Sequence, residues 1–456
     1  MNPSCGCADF TRSQALRRAA AEAGRGLPAV EMGMPVPAGT GLSRRSFLSR
    51  SAGMALAVYG ASAMGPQVFE DGIAAAQAAP AQPVLVSVFL SGGADSLSVL
   101  APTGHPRYSQ LRPTLALGAG EGTAFSEDTS LRWHPSAAGL AALHGEGKVT
   151  TFPAIGYADA NQSHFTSRHF WEVGELNPFG RVGWLGRFLD QHGTDDNPLQ
   201  GLSLGYDLAP ALATGGKPVA AVAQVDDYDF WSPGVWGPIP DPMLDEFGRQ
   251  GSLATADPAL AAARGATAAT GRLRDQLEPF QSGYSTPGGV TYPPNNSFAR
   301  RLGGLAAMLD ADLPLKAVAL EAPGGYDTHS DQASSLPNNL KQTCDSLLAF
   351  QRDVEARGLA DRVLVNVWSE FGRRPGENGS GTDHGAAGAS FVIGSRARGQ
   401  MVGEFPGLTT LDSESNLRHT SDFRALYCSL LEQWFDVDAA SIVPGASGFS
   451  RPQLVD

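Results

Sequence analysis

The sequence predicts an α/β protein with a central, mostly parallel sheet flanked by helices. Short apolar runs of strand length alternate along the chain with longer amphipathic segments. Three of these runs, 84–90, 317–320 and 363–368, lead into loops that contain glycine and carry Asp, His or Glu. The segment between the second and third runs has the pattern of one long helix. A strand–helix–strand unit implies parallel strands whose loops share one edge of the sheet.

The amino-terminal region is predicted to be an export signal and not part of the fold. Residues 43–48 read SRRSFL, a twin-arginine pair, and 52–64 form a moderately apolar, Ala/Gly-rich stretch that is too short for a lasting membrane anchor. Small residues at 74–79 suit signal-peptidase cleavage. We expect residues 1–79 to be a long n-region plus a Tat signal, and 80–456 to be the exported α/β part. An Arg-Arg pair at an ordinary helix start is the alternative.

Composition narrows the classes of partner and compartment. The 456 residues include 33 Lys and Arg against 46 Asp and Glu, for a net charge of −13. Such an acidic composition argues against nucleic acid as a binding partner, because binding to its phosphates needs clustered Lys and Arg. No later segment approaches the roughly 18 apolar residues of a membrane span. We therefore expect a protein that interacts with the Tat export machinery, has no permanent membrane span and is periplasmic or secreted.

The remaining elements follow in chain order from periodicity and capping residues. Aromatic and proline residues at 226–242 indicate an ordered excursion or lid, and a loop at 282–296 extends this region, near 226–296 in all. Cys344 and Cys428 lie in amphipathic helical patterns. They are interpreted either as buried thiols or as partners in a disulfide. The pattern predicts a helix at 134–144, a strand at 148–155, a helix that begins near His164 after Asn161 and Ser163, a helix at 184–189, a strand at 219–225, and helices along 298–309 and 340–357.

The three strand ends supply candidate ligands for a metal ion. Because their loops should share one edge of the sheet, we expect these side chains to meet there. Carboxylates and imidazoles without thiolate suit Zn²⁺ or Mn²⁺. Ca²⁺ or Mg²⁺ would suit the site if the imidazoles did not bind the ion. The alternative is a simple turn or helix cap for Asp95 and a solvated loop for Asp327 with His329, and a role without a ligand is weakest for the adjacent Asp383 and His384. The candidates are Asp95, Asp327, His329, Glu370, Asp383 and His384.

Other polar residues near these loops have two interpretations each. Ser163 is either a helix cap or a nucleophile, and Arg373 is either an anion clamp or a surface residue. His164 and His169 are interpreted as core histidines or as supporting groups around the site. His419 is interpreted as lying near the start of the carboxy-terminal helix.

A family resemblance rests on motifs that cover nearly all of the exported part. In order they read LSGGADSLSVLAP, YSQLRPTLAL, GY(x)5SHFTSRHFWEVGE, GWLGRFLD, YDTHSDQ and SEFGRRPGENGSGTDHG, behind the twin-arginine signal. The chain thereby resembles the DUF1501 family of bacterial proteins of unknown function. That family is remotely similar to the alkaline phosphatase and sulfatase superfamily. The resemblance implies an alkaline-phosphatase-like sheet with a two-metal hydrolytic site.

The same resemblance implies roles for individual residues. Asp95 matches a ligand after the first strand, and Ser163, or next Thr166, matches a nucleophile at a helix amino terminus, where free N–H groups stabilise an anion. Asp327 with His329, then Glu370, then His384 match later ligands in order. Two departures are that the Asp-x-His spacing is short and that Glu370 stands where an Asp-His pair is usual, unless Asp383 with His384 fills that role.

The implied function is metal-dependent hydrolysis of phosphate or sulfate esters, with a small-molecule or polymer ester as substrate. The alternative is a non-catalytic exported protein that keeps the fold for binding or assembly. A third hypothesis is a carbohydrate-handling role, because Phe230, Trp231 and Trp236 supply aromatic rings that stack on sugars.

Overall fold

A computed structural model describes residues 58–59, 82–228 and 240–456. The twin-arginine pair lies outside the described residues, and so do Phe230, Trp231 and Trp236 in the middle of the expected excursion. The predictions for the signal and for these aromatic residues therefore stay predictions. No described helix has the length and apolar character that crossing a membrane requires.

A nine-stranded sheet forms the centre of the described fold. Numbered along the chain, the strands are β1 Val58–Tyr59, β2 Val84–Phe89, β3 Leu100–Ala101, β4 Thr123–Ala124, β5 Arg132–Trp133, β6 Val149–Gly156, β7 Gly201–Ser203, β8 Val219–Ala221, β9 Ala317–Glu321, β10 Val363–Trp368, β11 Arg373–Glu377, β12 Thr382–His384, β13 Gly388–Ile393 and β14 Ser421–Asp422. The sheet order is β1-β8-β7-β9-β2-β10-β13-β6-β14. All neighbours are parallel except at β1 and β13, which run antiparallel to theirs.

Helices cover both faces of this sheet. They are α1 Ser96–Val99, α2 Tyr108–Leu111, α3 Ala138–Gly145, α4 His164–Val173, α5 Trp184–His192, α6 Pro240–Gly251, α7 Pro258–Leu277, α8 Ser297–Asp310, α9 Gln332–Ala356 and α10 Phe423–Gln433. Apolar residues of α3, α8 and α9 share one buried cluster with Val86 of β2. Those of α5 and α10 share a second buried cluster with Leu85. The predicted fold class, a mostly parallel sheet flanked by helices, is confirmed.

The strand sequences explain why the sheet is buried on both faces. Every residue of β2 and of β10 is buried, although alternate side chains point in opposite directions. Strands with helices on both sides require such continuous apolar runs, VLVSVF and VLVNVW, and not an alternating pattern.

Most predicted elements are present, and three details differ. The strand expected at 219–225 ends at Ala221, because its partner β7 ends at Ser203. The helix expected over 134–144 starts as a single 3₁₀ turn and becomes α3 only at Ala138. The region expected to be a loop after Glu370 contains the hairpin of β11 and β12.

The two cysteines of the described residues are buried free thiols. Cys344 and Cys428 form no disulfide, which agrees with the first of their two interpretations. Each lies on the apolar face of a helix, Cys344 on α9 and Cys428 on α10.

The topology brings the candidate loops to one edge of the sheet. Strands β2, β6, β9 and β10 run in the same direction, so their carboxyl ends meet at that edge. Strand β13 runs the other way, so the chain enters it from the same edge, directly after β12. Loops that are far apart in sequence therefore lie side by side, as expected for an α/β sheet.

Candidate metal centre

Three imidazoles converge on the carboxylate of Asp327, which follows β9. The Nε2 atom of His164 lies 3.6 Å from Oδ2 of Asp327. Nε2 of His329 lies 3.3 Å, and Nε2 of His384 3.4 Å, from Oδ1. One ligand atom each from His164, Asp327 and His384 fall within 4.8 Å of one another, the one such group of three or more His, Cys, Asp or Glu found among the described residues.

The opposite ring nitrogen of each histidine contacts an oxygen. Nδ1 of His164 lies 2.7 Å from Oε1 of Glu370. Nδ1 of His384 lies 2.8 Å from the carbonyl oxygen of Gln162, and Nδ1 of His329 lies 3.2 Å from Oδ1 of Asp383. A carbonyl or an ionised carboxylate can only accept, so each Nδ1 carries the proton and donates it. In the neutral ring, the lone pair is then on Nε2, which faces Asp327.

This pattern is the usual one for histidines that bind a metal ion. Such a histidine binds with one nitrogen and donates from the other to a carboxylate or a carbonyl, which fixes the orientation of the ring. The donor set of two imidazoles and a carboxylate, with His329 beside it, fits a divalent cation. A ligand set of this kind could hold a metal ion without any cysteine.

The hairpin and a close backbone approach place these groups. Arg373 of β11 and His384 of β12 are register partners, so their side chains share one face and both reach Asp327. Gly92, in the turn after β2, has φ +117°, and a Cβ there would lie 2.3 Å from the backbone nitrogen of Asp327. The Gly92 N–H donates to Oε1 of Glu370 at 3.0 Å. Only glycine fits this contact between two site loops.

Arg373 is a buried cation that binds the site loops together. Its side chain is fully buried and donates to the carbonyl oxygens of Gly93 at 2.8 Å and Thr382 at 2.7 Å. It also donates to the carbonyl of Gly92 and to Asp327. The surface interpretation of Arg373 is wrong, because this guanidinium lies inside the protein and its donors are used there.

Asp327 is held as an anion. Burial alone would raise its pKa, but hydrogen bonds with His164 and His384 and the charge of Arg373 hold the pKa far below the usual range. Glu370 is fully buried, which also disfavours its charge, yet the contact with His164 lowers its pKa. Both carboxylates are therefore ionised at neutral pH, as a cation site requires.

The three imidazoles differ in their protonation. Burial disfavours the charged ring of His164, but its contacts with Asp327 and Glu370 outweigh burial and raise its pKa. Burial lowers the pKa of His384, and the charges of His164 and Arg373 add to this effect, against the contact with Asp327. Burial and Arg373 lower the pKa of His329. Two of the three rings thus favour the neutral form that binds metal.

The six predicted ligands occupy four different places. Asp327 and His384 lie in the group of ligand atoms, and His329 lies beside it. Glu370 and Asp383 lie behind histidines and contact the ring nitrogen that points away from Asp327. Asp95 lies apart from the group, and both of its oxygens contact the guanidinium of Arg112.

The predicted nucleophiles lie at the start of α4. Ser163 is the residue before α4, and its side chain makes no capping hydrogen bond. Its neighbours on both sides contact the cluster, Gln162 through its carbonyl oxygen and His164 through its ring. Thr166 is half-buried in the first turn of the helix.

Sequence reasoning missed three residues of this region. It favoured a core or supporting role for His164, whose Nε2 faces Asp327 in the structure. The available signal was that α4 starts at the edge where β6 ends. Arg112 and Gln332 were not singled out, and both contact Asp95. His169, by contrast, contacts the carbonyl of Asn177 at 3.0 Å and is not in the ligand group.

A comparison with protein families identifies the segment that carries most of this site. Residues 264–437 match the family model described as "Protein of unknown function (DUF1501)". The resemblance to DUF1501 is confirmed. The DUF1501 match contains Asp327, His329, Glu370, Asp383 and His384, and the segment that contains His164 precedes it. No curated protein sequence matches the chain.

Several solved structures are similar to this chain at low sequence identity. A protein in the alkaline phosphatase superfamily from Vibrio parahaemolyticus has 9% identity and a TM-score of 0.33, with 77% of this chain and 66% of that chain covered. The C-terminal periplasmic domain of EcEptC from Escherichia coli, a complex with Zn, has 9% identity, a TM-score of 0.34 and coverages of 83% and 93%. The phosphonate monoester hydrolase of Agrobacterium radiobacter has 11% identity and a TM-score of 0.35, with 80% of this chain and 78% of that chain covered.

Proposed function

We propose that this protein is a metal-dependent hydrolase of phosphate or sulfate esters, with a divalent cation held by His164, Asp327 and His384. The observation that carries the proposal is the convergence of three Nε2 atoms on Asp327. Each of these rings also donates from Nδ1 to a protein oxygen, so each is fixed in the orientation that a metal ligand needs.

The ligand types favour zinc or manganese. Imidazole nitrogen suits Zn²⁺ and Mn²⁺, whereas Ca²⁺ and Mg²⁺ prefer sites made only of oxygen. Two imidazoles and one carboxylate leave a coordination position open, as in catalytic sites. A cation bound there would act as a Lewis acid on an ester oxygen and stabilise developing negative charge.

Within this proposal, the remaining polar groups hold the ligands in place. Glu370 orients His164, and Asp383 orients His329. Arg373 adds to the effect of His164 and His384 in keeping Asp327 ionised, and it ties Asp327 to the turn after β2. None of these three groups needs to touch the substrate to be required for binding the cation.

Ser163 is the proposed nucleophile. It lies between two residues that contact the cluster, and its hydroxyl is not used to cap α4. The amino terminus of a ten-residue helix carries a partial positive charge that favours an alkoxide and an anionic ester group. Thr166, in the first turn of the same helix, is the second candidate.

The class of substrate rests on the sequence resemblance and on this helix terminus. Phosphate and sulfate esters, on a small molecule or a polymer, are the anionic substrates that both features favour. A non-catalytic exported protein that uses the same metal centre for binding is the alternative.

The test uses the metal-loaded protein and a panel of aryl phosphate and aryl sulfate esters. Ser163→Ala should abolish turnover and keep both the metal and the fold. Ser334→Ala is the matched control, because Ser334 is exposed and its hydroxyl donates to the carbonyl of Asp331. Full turnover by Ser163→Ala would remove Ser163 from its role. A metal-loaded protein that hydrolyses no ester of either class would favour the binding alternative.

The proposal includes export through the Tat pathway to the periplasm or beyond. It is supported by the twin-arginine pair Arg44 and Arg45 and the apolar stretch that follows. Replacing both arginines by lysine should leave the protein in the cytoplasm of the producing cell. Unchanged export on fractionation would refute this route.

A further inference from the structure

A chain of three buried polar side chains lies beside the candidate metal centre. Arg112, Asp95 and Gln332 are 0%, 0% and 2% exposed. Arg112 donates to both carboxylate oxygens of Asp95, at 2.5 and 2.9 Å. Gln332 donates from Nε2 to Oδ2 of Asp95 at 2.5 Å. We call these three residues the buried chain.

The Gln332 end of the buried chain joins the two loops that carry the ligands. Its Oε1 accepts from the hydroxyl of Thr328 at 2.9 Å and from that of Thr382 at 2.7 Å. Thr328 stands between Asp327 and His329, and Thr382 directly precedes Asp383 and His384. One amide oxygen therefore fixes the distance between the loop after β9 and strand β12. The backbone repeats the link, because the Thr382 N–H donates to the Thr328 carbonyl at 3.0 Å.

The Arg112 end of the buried chain holds the other strand of the hairpin. Arg112 donates from Nε to the carbonyl oxygen of Pro375 at 2.8 Å and from a terminal nitrogen to that of Arg374 at 3.0 Å. Both carbonyls belong to β11, next to Arg373. The buried chain thus contacts both strands of the hairpin and the loop of Asp327, and its hydrogen bonds reach none of the ligand atoms of His164, Asp327 and His384.

Both oxygens of Asp95 accept hydrogen bonds, and Arg112 supplies its counter-ion. Its Oδ2 accepts from Arg112, Ser98 and Gln332, and its Oδ1 accepts from Arg112. The adjacent guanidinium already neutralises the carboxylate, and a cation bound there would lie next to that positive charge. Burial disfavours the charge of Asp95, yet Arg112 lowers its pKa, so the pair is ionic.

We propose that Arg112, Asp95 and Gln332 are positioning residues, which set the spacing of the two ligand loops, and that Asp95 binds no cation. The proposal rests on the proposed function insofar as it needs the metal centre. It changes the role that the family resemblance implies for Asp95, from ligand to anchor. It also assigns to Gln332 a role that neither its sequence position nor the family description indicates.

The test compares two buried glutamines on α9. Gln332→Met removes the bridge between the ligand loops. Gln351→Met is the matched control, because Gln351 is equally buried and donates to Glu355 and Ser395, away from the candidate centre. The metal-free forms are titrated with zinc alone and followed by calorimetry, and their melting temperatures are recorded.

Both variants should lose some thermal stability, but only Gln332→Met should bind zinc more weakly, by about tenfold or more. Equal zinc affinity in the two variants would overturn the positioning role. Asp95→Asn provides a second arm and should still bind one equivalent of zinc per chain if it folds. Loss of zinc from a folded Asp95→Asn, with Gln332→Met unaffected, would make Asp95 a ligand. Absence of zinc binding by the unmodified protein would overturn the proposed centre together with this inference.

Discussion

Replacing Arg112 by methionine isolates the cost of one buried ion pair. Arg112 makes five hydrogen bonds, two of them to Asp95, and neither side chain is exposed. Methionine fills a similar volume but leaves the carboxylate without its counter-ion. Breaking a buried pair in this way costs about 3–5 kcal/mol of unfolding free energy. Ser98 and Gln332 still donate to Asp95, so we expect a value near the lower end.

The sign of the pH dependence separates this explanation from a general packing defect. In the unmodified protein burial raises the pKa of Asp95, but the charge and hydrogen bonds of Arg112, with the hydrogen bonds from Ser98 and Gln332, together hold it below its ordinary 3.8. That stabilisation is fully present above about pH 4 and is lost as the pH falls further. Without Arg112, burial is the largest effect and raises the pKa of Asp95 above 3.8. The folded variant then holds a proton that the unfolded chain releases, so its stability falls as the pH rises.

The assay is urea unfolding in the presence of a chelator, followed by tryptophan fluorescence and far-ultraviolet circular dichroism. The loss of unfolding free energy in Arg112→Met should be larger at about pH 7 than at about pH 4, because a raised folded pKa removes stability as the pH rises from the unfolded pKa of 3.8. Arg132→Met is the control, because Arg132 donates only to the carbonyl oxygens of Glu121 and Gly122. A loss of unfolding free energy that is no larger than that of the control, and equal at both pH values, would refute the reasoning.

Two further predictions concern the loops around Asp327. Glu370→Gln keeps an acceptor for His164 but removes the buried charge that orients it, so zinc should bind about 10-fold to 100-fold more weakly by calorimetry; unchanged affinity would show that Glu370 does not support the ligand. Gly92→Ala places a methyl group 2.3 Å from the backbone of Asp327 at φ +117°, and should lower both the melting temperature and zinc affinity. Gly120→Ala, where the added atom meets nothing within 4 Å, is its control, and equal effects of the two changes would contradict the close-contact explanation.

The sequence predicts the location of the site better than the role of each residue. Continuous apolar runs, such as the one ending at Trp368, identify buried parallel strands, and their direction places Asp327 and His384 at one edge. Pattern and spacing cannot distinguish a residue that faces the centre from one behind it. Glu370 and Asp383 were predicted as ligands, and the structure places both behind imidazoles.

The residues that were missed depend on contacts between distant parts of the chain. His164 meets Glu370 across 206 positions, and Gln332 meets Asp95 across 237. The sequence around each of these residues does not indicate its distant partner. The pattern at His164, a polar residue just after Ser163, is also that of any capped helix. Arg112 lies only 17 positions from Asp95, but the intervening sequence does not indicate that they fold together.

The central claim is that His164, Asp327 and His384 hold a metal ion. The most direct measurement is elemental analysis of the purified protein after exposure to zinc and manganese, beside His384→Ala and His169→Ala. His169 is the matched control, because it is a buried histidine that contacts Asn177 and not Asp327. The unmodified protein and His169→Ala should each retain about one equivalent of metal, and His384→Ala should lose it. Equal metal content in all three proteins, or none in any, would contradict the claim.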